Sequence, residues 1–550
     1  MFELGLTPLA SVLISMLGAA ITKIAARFMP SRGRDALALL MAGGAFVSTL
    51  FLAFQPASHV VVSPWQPLAL FESQLAYTAE GLAVPFALLI SLVCLAIVLS
   101  LSKWRRATED NGESPLYPAV FVVSAAGLSF VYSDNLVTLC LSWAFLDLSL
   151  LFLMVGQGRT QAASEAQGRA VIMSSLIGLS LVVAALLLDD HGFSLVPAPS
   201  FLLVAALVRA SFYPVHFWML TGAEMEPPAN TLLQTISIAT GLSLLARLQE
   251  FSLQGPPYQS QLVTISILAL LATALSAWAE QDRRKAISWI AVNQVALALL
   301  SVAVVGLQAK SSLLWSAISL ALCLSLLNLR PPEPEKVGRY GLWFRVPTGL
   351  AIASLMGLPF TMGFVGRAAL YRSLFALGQP DLWGLSIVAD AVLFATLFRM
   401  GADLAQFSIP NSQFPLWISH LAGLIILAVP LVLLGVHPPL ASFLAADVDL
   451  PAAAEWIGRA DIALWAALLL PLVGGYLLHR GQKAILERSA AFWKGLGALL
   501  GLDWLYNWLW KAGWGIGAVL RGLGLVTEGE GYLGWTLLLA FIAFLLLASK

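Results

Sequence analysis

The sequence predicts an all-α polytopic membrane protein with about 14–16 transmembrane helices, and three observations predict it. Of 550 residues, 59% are hydrophobic and 11% charged, which leaves too little polar surface to solvate a globular chain of this size. Apolar stretches of about 20 residues, long enough to cross a ~30 Å hydrocarbon core as helix, recur from Leu6 to Ser549. They lack the apolar/polar alternation that strands of an outer-membrane barrel require.

The spans read in order as 6–26, 35–56, 81–102, 116–132, 135–157, 170–189, 198–220 and 229–249. They continue as 261–280, 286–306, 311–329, 346–371, 382–402, 415–436, 461–479 and 532–549. The first run, Leu6 to Ile24, ends among Lys23 and Arg27 without a small-residue cleavage site behind a basic start, so it reads as a span and not a signal peptide. Cys94, Cys140 and Cys323 lie in apolar runs without CxxC spacing or neighbouring histidines, which argues against a disulfide framework or a metal site. Thirty basic and thirty acidic residues cancel, so no net charge points to nucleic acid.

Basic residues set the expected orientation. Lys23/Arg27/Arg32/Arg34, Lys103/Arg105/Arg106, Arg159/Arg169, Lys336/Arg339 and Arg480/Lys483/Arg488 fall at one face. Positive charge stays in the cytoplasm, which puts both termini outside. The short link Asp282-Arg283-Arg284-Lys285 takes its side from where the neighbouring spans are cut, and the Gln281–Lys285 run reads as a topology-setting loop.

The stretch 481–531 carries Trp493, Trp504, Trp508, Trp510 and Trp514 beside Lys494, Lys511 and Arg521. Aromatic and basic residues mixed in this way suit the membrane interface, so Asp503 to Leu520 reads as a helix along the bilayer surface or across neighbouring spans. A seventeenth crossing is the rival reading.

Proline interrupts two spans in mid-membrane, in Ala210-Ser-Phe-Tyr-Pro214-Val-His-Phe-Trp218 and Met356-Gly-Leu-Pro359-Phe-Thr-Met-Gly-Phe364. A broken helix frees N–H and C=O groups, which lipid tolerates only where protein or water satisfies them. Interrupted helices about 145 residues apart are the pattern of repeated bundles in secondary transporters, with two ordinary proline kinks as the alternative.

Around these residues the chain resembles the antiporter-like membrane subunits of respiratory complex I (NADH:quinone oxidoreductase) and of multi-subunit cation/proton antiporters. The likeness is carried by Glu80-Gly-Leu-Ala83, by Asp134-Asn-Leu-Val-Thr-Leu139 with Trp143, and by Arg209, Pro214, His216 and Trp218 with Glu224 and the Pro227-Pro228 turn. It extends through Asp282-Arg-Arg-Lys-Ala-Ile-Ser-Trp289-Ile-Ala-Val-Asn-Gln294 to Gly357-Leu-Pro-Phe-Thr-Met-Gly-Phe-Val-Gly-Arg367. The resemblance implies N-terminal helices over 1–115 and two inverted five-helix bundles over 116–250 and 261–402. It further implies C-terminal helices over 403–480, a tryptophan-rich interfacial or lateral segment over 481–531 and a last span over 532–550. It also implies no redox cofactor, other membrane subunits as partners, protons or sodium as the ions moved, and an energy-transducing inner membrane of a bacterium or organelle.

A proton relay needs groups that change charge near working pH, and burial beside partners brings Lys or Glu into that range. Here the expected relay is altered. The family's Trp-Glu pair resembles Trp143-Ala144, and Asp147, three residues on, is either its substitute or a local polar tie. Arg209 stands at the lysine of the seventh span, and Arg367 at the exit-side Lys or Glu of the twelfth. Arginine, with a pKa above about 12, holds a charge and does not pass one. Gln234 matches a histidine of many relatives, in a register that slips by one residue. The family's central lysine falls near Ser316-Ala-Ile-Ser-Leu320, where no lysine is found. Asp390 lies mid-span and calls for a partner such as Arg367 or Arg399. His216 reads equally as a proton carrier or a structural ring, and Glu224 and Glu226 as solvated edge residues.

Ion translocation is the function implied, with Asp147, Arg209, His216, Gln234, Arg367 and Asp390 as pathway candidates and Pro214 and Pro359 as helix breaks. The alternatives are a structural or coupling subunit that has lost the relay, and a membrane partner that energises inorganic carbon uptake. The sequence shows no catalytic centre, cofactor-binding motif or metal site.

Overall fold

The computed structural model describes residues 7–63, 74–107, 116–157, 161–191, 198–251, 259–305, 309–330, 341–376, 378–405, 414–443, 462–502, 504–512, 515 and 517–518. The chain divides into two units, Met1–Trp493 and Lys494–Lys550. In the first unit α1 (Pro8–Phe28), α2 (Ser31–Leu52), α3 (Ala83–Ala107), α4 (Leu116–Tyr132), α5 (Leu136–Gln157) and α6 (Gln161–His191) follow one another. Then come the broken pair α7 (Ala198–Arg209) and α8 (Phe217–Gly222), α9 (Pro227–Phe251), α10 (Gln259–Ala279), α11 (Arg283–Val305) and α12 (Ala309–Asn328). A second broken pair, α13 (Gly341–Leu355) and α14 (Met362–Ala376), precedes α15 (Pro380–Ala405), α16 (Phe414–Val436) and α17 (Ile462–Arg488). Each of the first fifteen expected spans coincides with one of these helices or broken pairs, and 532–549 lies outside the described residues.

Helices α4 to α7 pack in succession, α7 and α8 both pack between α6 and α9, α10 to α15 pack in succession, and α9 meets α12. The hydrophobic stretches of α9 and α11 are each 94% buried, and α4 and the described side chains of α12 are almost wholly buried too, so these helices form the interior. The 282–285 link lies at the end of the bundle where α9 begins and α12 ends, with Arg283 Nη2 donating to Leu327 O at 2.9 Å and Arg284 Nη1 reaching Met225 O at 3.4 Å.

Both interruptions end their first half-helix in the same hydrogen-bonded cap. At the first, Phe212 N donates to Leu207 O at 2.9 Å and Ser211 N to Val208 O at 3.2 Å. At the second, Leu358 N donates to Ala353 O at 3.0 Å and Gly357 N to Ser354 O at 2.9 Å. This is the Schellman pattern, which requires a left-handed residue at the turn. Ser211 and Gly357 supply it with φ of 60° and 68°. Pro214 and Pro359 follow within three residues and prevent the helix from resuming. Freed groups beyond the second cap are also met, Gly363 N by Ser354 Oγ at 3.0 Å. At the first break α9 comes so close that a Cβ on Gly241 would stand 2.5 Å from Ala210 N, so only glycine fits there.

Two features depart from the sequence reading. Strands β1 (Ser58–Ser63) and β2 (Leu75–Ala79) form an antiparallel hairpin where no strand was expected. Its strands are short and sit in a gap between long apolar runs, so no periodicity announces them. The hairpin lies over the start of α5: Ala76 N donates to Thr138 Oγ1, Asp134 N to Ala76 O, and His59 contacts Asp134 at 2.9 Å. Asn135 caps α5, accepting from Thr138 N at 2.8 Å. The other departure is α17, which runs to Arg488 although hydropathy ends its span at 479, because His479–Arg488 contains good helix formers and no breaker after Gly481. A further helix, α18 (Ala490–Gly501), follows, and within the second unit residues 504–512 are helical with Trp504 and Trp508 exposed. The rest of the expected Asp503–Leu520 helix lies largely outside the described residues.

A side chain in the left-handed region costs about 1–2 kcal/mol, against about 0.5–1 kcal/mol of lost backbone entropy for glycine. Ser211→Gly, which also deletes a buried hydroxyl with no hydrogen-bond partner, is expected to leave the thermal midpoint of the purified protein unchanged or raised. Gly357→Ala, whose Cβ would stand 2.4 Å from Arg367 Cδ, is expected to lower it. A fall with Ser211→Gly would contradict this account of the first break.

Candidate functional site

The mid-membrane polar groups collect beside the two breaks. Arg209 is the last residue of α7, so the break begins as soon as its guanidinium has been placed. Its Nη1 donates to Asp147 Oδ1 on α5, its Nε reaches Thr240 Oγ1 at 3.4 Å, and its Cζ lies 5.5 Å from the centre of the Trp143 ring. Arg209 is 4% exposed and Asp147 7%. Asp147 Oδ2 and Arg209 Nη2 have no hydrogen-bond partner among the described residues, so the pair is not saturated. Ala144 is exposed on the outer side of α5, whereas Trp143 and Asp147 face inward. A carboxylate at position 147 therefore meets the arginine, and one at 144 would face out of the bundle.

The second break repeats the theme with the partners rearranged. Arg367, on α14, donates through Nη1 to Asp390 Oδ2 on α15, and Tyr371 OH donates to the same oxygen at 2.6 Å. Arg367 Nη2 donates to Leu355 O at 2.8 Å, a carbonyl left at the end of α13, and reaches Gln294 Oε1 at 3.4 Å. Its Cζ stands 5.2 Å from the Phe394 ring centre. Of the two arginines expected as partners for Asp390, Arg367 takes the role, while Arg399 donates to Glu280 O at 2.6 Å. Beside Arg367 is a cavity of about 20 Å³, room for one water, lined by Gln294, Ser301, Ser316, Ser319, Ser354 and other residues that include Leu320. Hydroxyls and an amide occupy the neighbourhood where the resemblance puts a lysine.

A line of uncharged hydrogen bonds joins α9, α11 and α12. Asn230 Nδ2 donates to Asn328 Oδ1 at 3.3 Å, Asn328 Nδ2 to Gln234 Oε1 at 2.8 Å, and Gln234 Nε2 to Ser288 Oγ at 2.8 Å. These residues lie near the ends of α9, α11 and α12 that bear the basic link 282–285. Both arginines, by contrast, lie on the other side of their breaks. α7 leads toward that basic end and α14 away from it, so the inversion leaves Arg209 and Arg367 on the same half. His216 joins neither pair among the contacts described: its ring stacks on Tyr213 at 5.1 Å and tilts over Trp289 at 4.8 Å. Pro214 follows a cis peptide bond in the same linker. Glu224 is exposed and Glu226 half-buried at the basic end.

Sequence reasoning missed Asn230, Ser288, Asn328, Thr240 and Tyr371. Single polar residues in apolar spans are the signal that could have raised them, but serine, threonine and asparagine also bond locally along a helix, so the signal is diluted.

Residues 133–393 match the family described as NADH:quinone oxidoreductase/Mrp antiporter, TM. Among curated proteins, NADH-ubiquinone oxidoreductase chain 5 of Petromyzon marinus is 23% identical over 401 residues, covering 68% of this chain and 66% of that protein. Na(+)/H(+) antiporter subunit A1 of Staphylococcus aureus is 22% identical over 420 residues, covering 65% of this chain and 52% of the relative. The chain thus spans between about half and two thirds of these relatives' length. In fold it is similar to a chain of the Mrp complex of Dietzia sp. DQ12-45-1b, with a TM-score of 0.76, 21% identity and coverage of 98% of this chain and 63% of that one. A chain of an archaeal membrane-bound sulfane sulfur reductase aligns with a TM-score of 0.73, 17% identity and coverage of 98% and 99%.

Removing one partner of a buried pair leaves an uncompensated charge, at a cost of about 3–5 kcal/mol, whereas replacing both by apolar residues of similar size is often neutral. Asp147→Ala and Asp390→Ala are each expected to cut the yield of folded protein sharply. The double changes Asp147→Leu with Arg209→Met, and Asp390→Leu with Arg367→Met, are expected to recover much of it. Equal losses in single and double variants, measured by monodisperse yield and thermal midpoint, would refute the ion-pair account.

Proposed function

We propose, on the match of residues 133–393 to the NADH:quinone oxidoreductase/Mrp antiporter transmembrane family, that this chain is an antiporter-like membrane subunit that takes part in moving protons or sodium ions, coupled to other membrane subunits of a larger complex. The observation that supports it most is the recurrence, in two halves of opposite direction, of a capped helix break beside a buried Arg–Asp pair. Interrupted helices cost hydrogen bonds in lipid, and their recurrence beside buried ionised groups in corresponding places is the pattern of an ion path in secondary transporters.

In this reading the residues divide the work. Arg209 and Arg367 are fixed positive charges, because guanidinium does not release its proton in a working range. Asp147 and Asp390 are the groups able to take up a proton, and Tyr371 and Thr240 orient their partners. The Asn230–Asn328–Gln234–Ser288 line conducts by hydrogen bonding, without titrating. No cofactor enters the scheme.

A second reading, a structural or coupling subunit without ion transfer, is favoured by a different observation. Leu320 and a serine-lined cavity replace the central lysine, and both remaining mid-membrane cations are arginines. The conservative changes Asp147→Asn, Arg209→Gln and Asp390→Asn, made one at a time in the reconstituted assembly, separate the two. The translocation reading expects at least one of them to cut ion flux about tenfold or more with assembly intact. Unchanged flux in all three would exclude it, and lost flux with normal assembly would exclude the structural reading.

The chain is an integral membrane protein, and we further propose that the basic end of the bundle faces the cytoplasm, or the equivalent side of an organellar inner membrane, with both termini outside. A cysteine placed at Gly481 should then react with an impermeant maleimide only in inside-out vesicles, and one at His437 only in right-side-out vesicles. The opposite pattern would invert the topology.

A further inference from the structure

On α11 two neighbouring amides, Asn293 and Gln294, lead from α10 to the second ion pair. Asn293 is 1% exposed and Gln294 9%. Asn293 Nδ2 donates to Leu270 O at 2.9 Å and to Thr273 Oγ1 at 3.0 Å, both on α10. A carbonyl can only accept, and the hydrogen of Thr273 Oγ1 is engaged by Ala269 O at 2.6 Å. The Asn293 amide is therefore set with its nitrogen toward α10, which turns its Oδ1 to accept from Gln294 Nε2 at 3.2 Å. That bond sets the second amide in turn and leaves Gln294 Oε1 aimed at Arg367 Nη2, at 3.4 Å. Because the series starts from a backbone carbonyl, the acceptor it presents to Arg367 is there whatever the charge of Asp390.

The two ion pairs consequently differ in what each arginine retains once its carboxylate is neutral. Arg367 Nη2 keeps Leu355 O at 2.8 Å as well as Gln294 Oε1, and its Cζ keeps the Phe394 ring at 5.2 Å. Arg209 keeps Thr240 Oγ1 at 3.4 Å and the Trp143 ring, and its Nη2 has no hydrogen-bond partner among the described residues. A buried cation is less costly where oriented acceptors already face it. Other charges stand apart from Asp390. Of the helices packed against α15, α10 carries no titratable side chain, and α11 carries Arg283, Arg284 and Lys285 at its start. Arg345 lies near the start of α13, Arg372 follows Tyr371 on α14, and α17 has none before Tyr476. On α15 itself Asp381, Arg399 and Asp403 are more than two turns away.

We propose that Asn293 and Gln294 are positioning residues that hold Arg367 when a proton neutralises Asp390, and that Asp390 is in consequence the aspartate of the two that takes up a proton more readily. In that step one proton bonds to the carboxylate and the pair passes from neutral to a single positive charge. Gln294 Oε1 and Leu355 O then carry the contact that Asp390 gives up, while Asp147 stays ionised beside Arg209. The order of protonation supplies the first step of the ion-moving reading and in that use rests on it, whereas the hold on Arg367 does not.

The test uses the full chain in lipid nanodiscs with meta-fluorotyrosine in place of Tyr371, whose hydroxyl donates to Asp390 Oδ2, so that the fluorine resonance follows the protonation of Asp390. Gln294→Leu is expected to lower the midpoint by about one pH unit, a tenfold change from the loss of one hydrogen bond to a charged group. Gln294→Glu, which gives Arg367 a second carboxylate, is expected to raise it by about one unit or more. Asn293→Leu, which frees the Gln294 amide to turn its nitrogen toward Arg367, is expected to act as Gln294→Leu does. A merely structural role would not move the midpoint in opposite directions. In the chain without any substitution, dicyclohexylcarbodiimide, which reacts with protonated carboxyls in apolar surroundings, is expected to label Asp390 faster than Asp147 when the products are mapped by mass spectrometry. Shifts of one sign in Gln294→Leu and Gln294→Glu, no shift in either, or labelling of Asp390 no faster than of Asp147 would overturn the proposal. The expected pattern in an assembly whose ion flux is indifferent to Asp390→Asn would support it and exclude only the ion-moving reading.

Discussion

The interruption of two helices in mid-membrane is the constraint on which the other polar features depend. Each unsatisfied backbone group in hydrocarbon costs several kcal/mol, so a break survives only if its freed carbonyls and amides are met locally. The two Schellman caps meet some of them, and the half-helix that ends there presents the negative end of its dipole. A cation is stabilised at such an end, and arginine is found at both: Arg209 closes α7, and Arg367 donates to the last carbonyl of α13. The helix end alone contributes about 0.3–2 kcal/mol, less than the ~2.5–3.5 kcal/mol that insertion scales assign to a mid-span charge. The aspartates supply the remainder, so break, arginine and carboxylate form one dependent set in each half.

That dependence fixes what a substitution of lysine by arginine does. A lysine can shed its proton when its partner leaves, and the site becomes neutral. An arginine cannot, and its charge must be answered at every moment by an anion, a dipole or water. The surroundings of both arginines are furnished accordingly. Trp143 and Phe394 present ring faces to the guanidiniums, Thr240 and Gln294 present oxygens, and Tyr371 shares the oxygen of Asp390 that Arg367 binds.

Much of this was legible in the sequence because lipid imposes simple rules. A hydrocarbon core requires runs of fixed length, so fifteen helices or broken pairs among the described residues were readable from hydropathy, ten of the helices long and apolar enough to cross a membrane, and proline marked both breaks. The resemblance singled out Asp147, Arg209 and Arg367, an ionised residue against an apolar background made Asp390 visible, and the need to pair Asp390 suggested Arg367 among two arginines. The uncharged partners were not legible in the same way. Asn328 ends α12, and Asn230 and Ser288 sit within two turns of a helix start, places where polar residues are ordinary, and only the packing of α9 against α11 and α12 aligns them. The β-hairpin escaped because five or six residues carry no reliable period. Ser211 escaped because serine at a left-handed position is unusual, whereas Gly357 at the matching place reads as a turn.

The arrangement also bears on how such a chain could be driven. Suppose a proton reaches Asp147. Its carboxylate becomes neutral, and Arg209 is left as a buried cation with Thr240 and a ring face for company. Leaving one member of a buried pair uncompensated costs about 3–5 kcal/mol, so a proton on Asp147 strands the arginine unless its charge is answered elsewhere. Thermal fluctuation alone would visit that state rarely. A proton can therefore pass through the pair only when something else compensates Arg209 at the same time, such as a movement of α7 at its break, a charge shift in the neighbouring half, or work done by a partner subunit. With no such input the pair stays closed and the chain is a rigid scaffold. The same geometry thus supports both functional readings, and the difference between them lies in whether energy reaches the breaks.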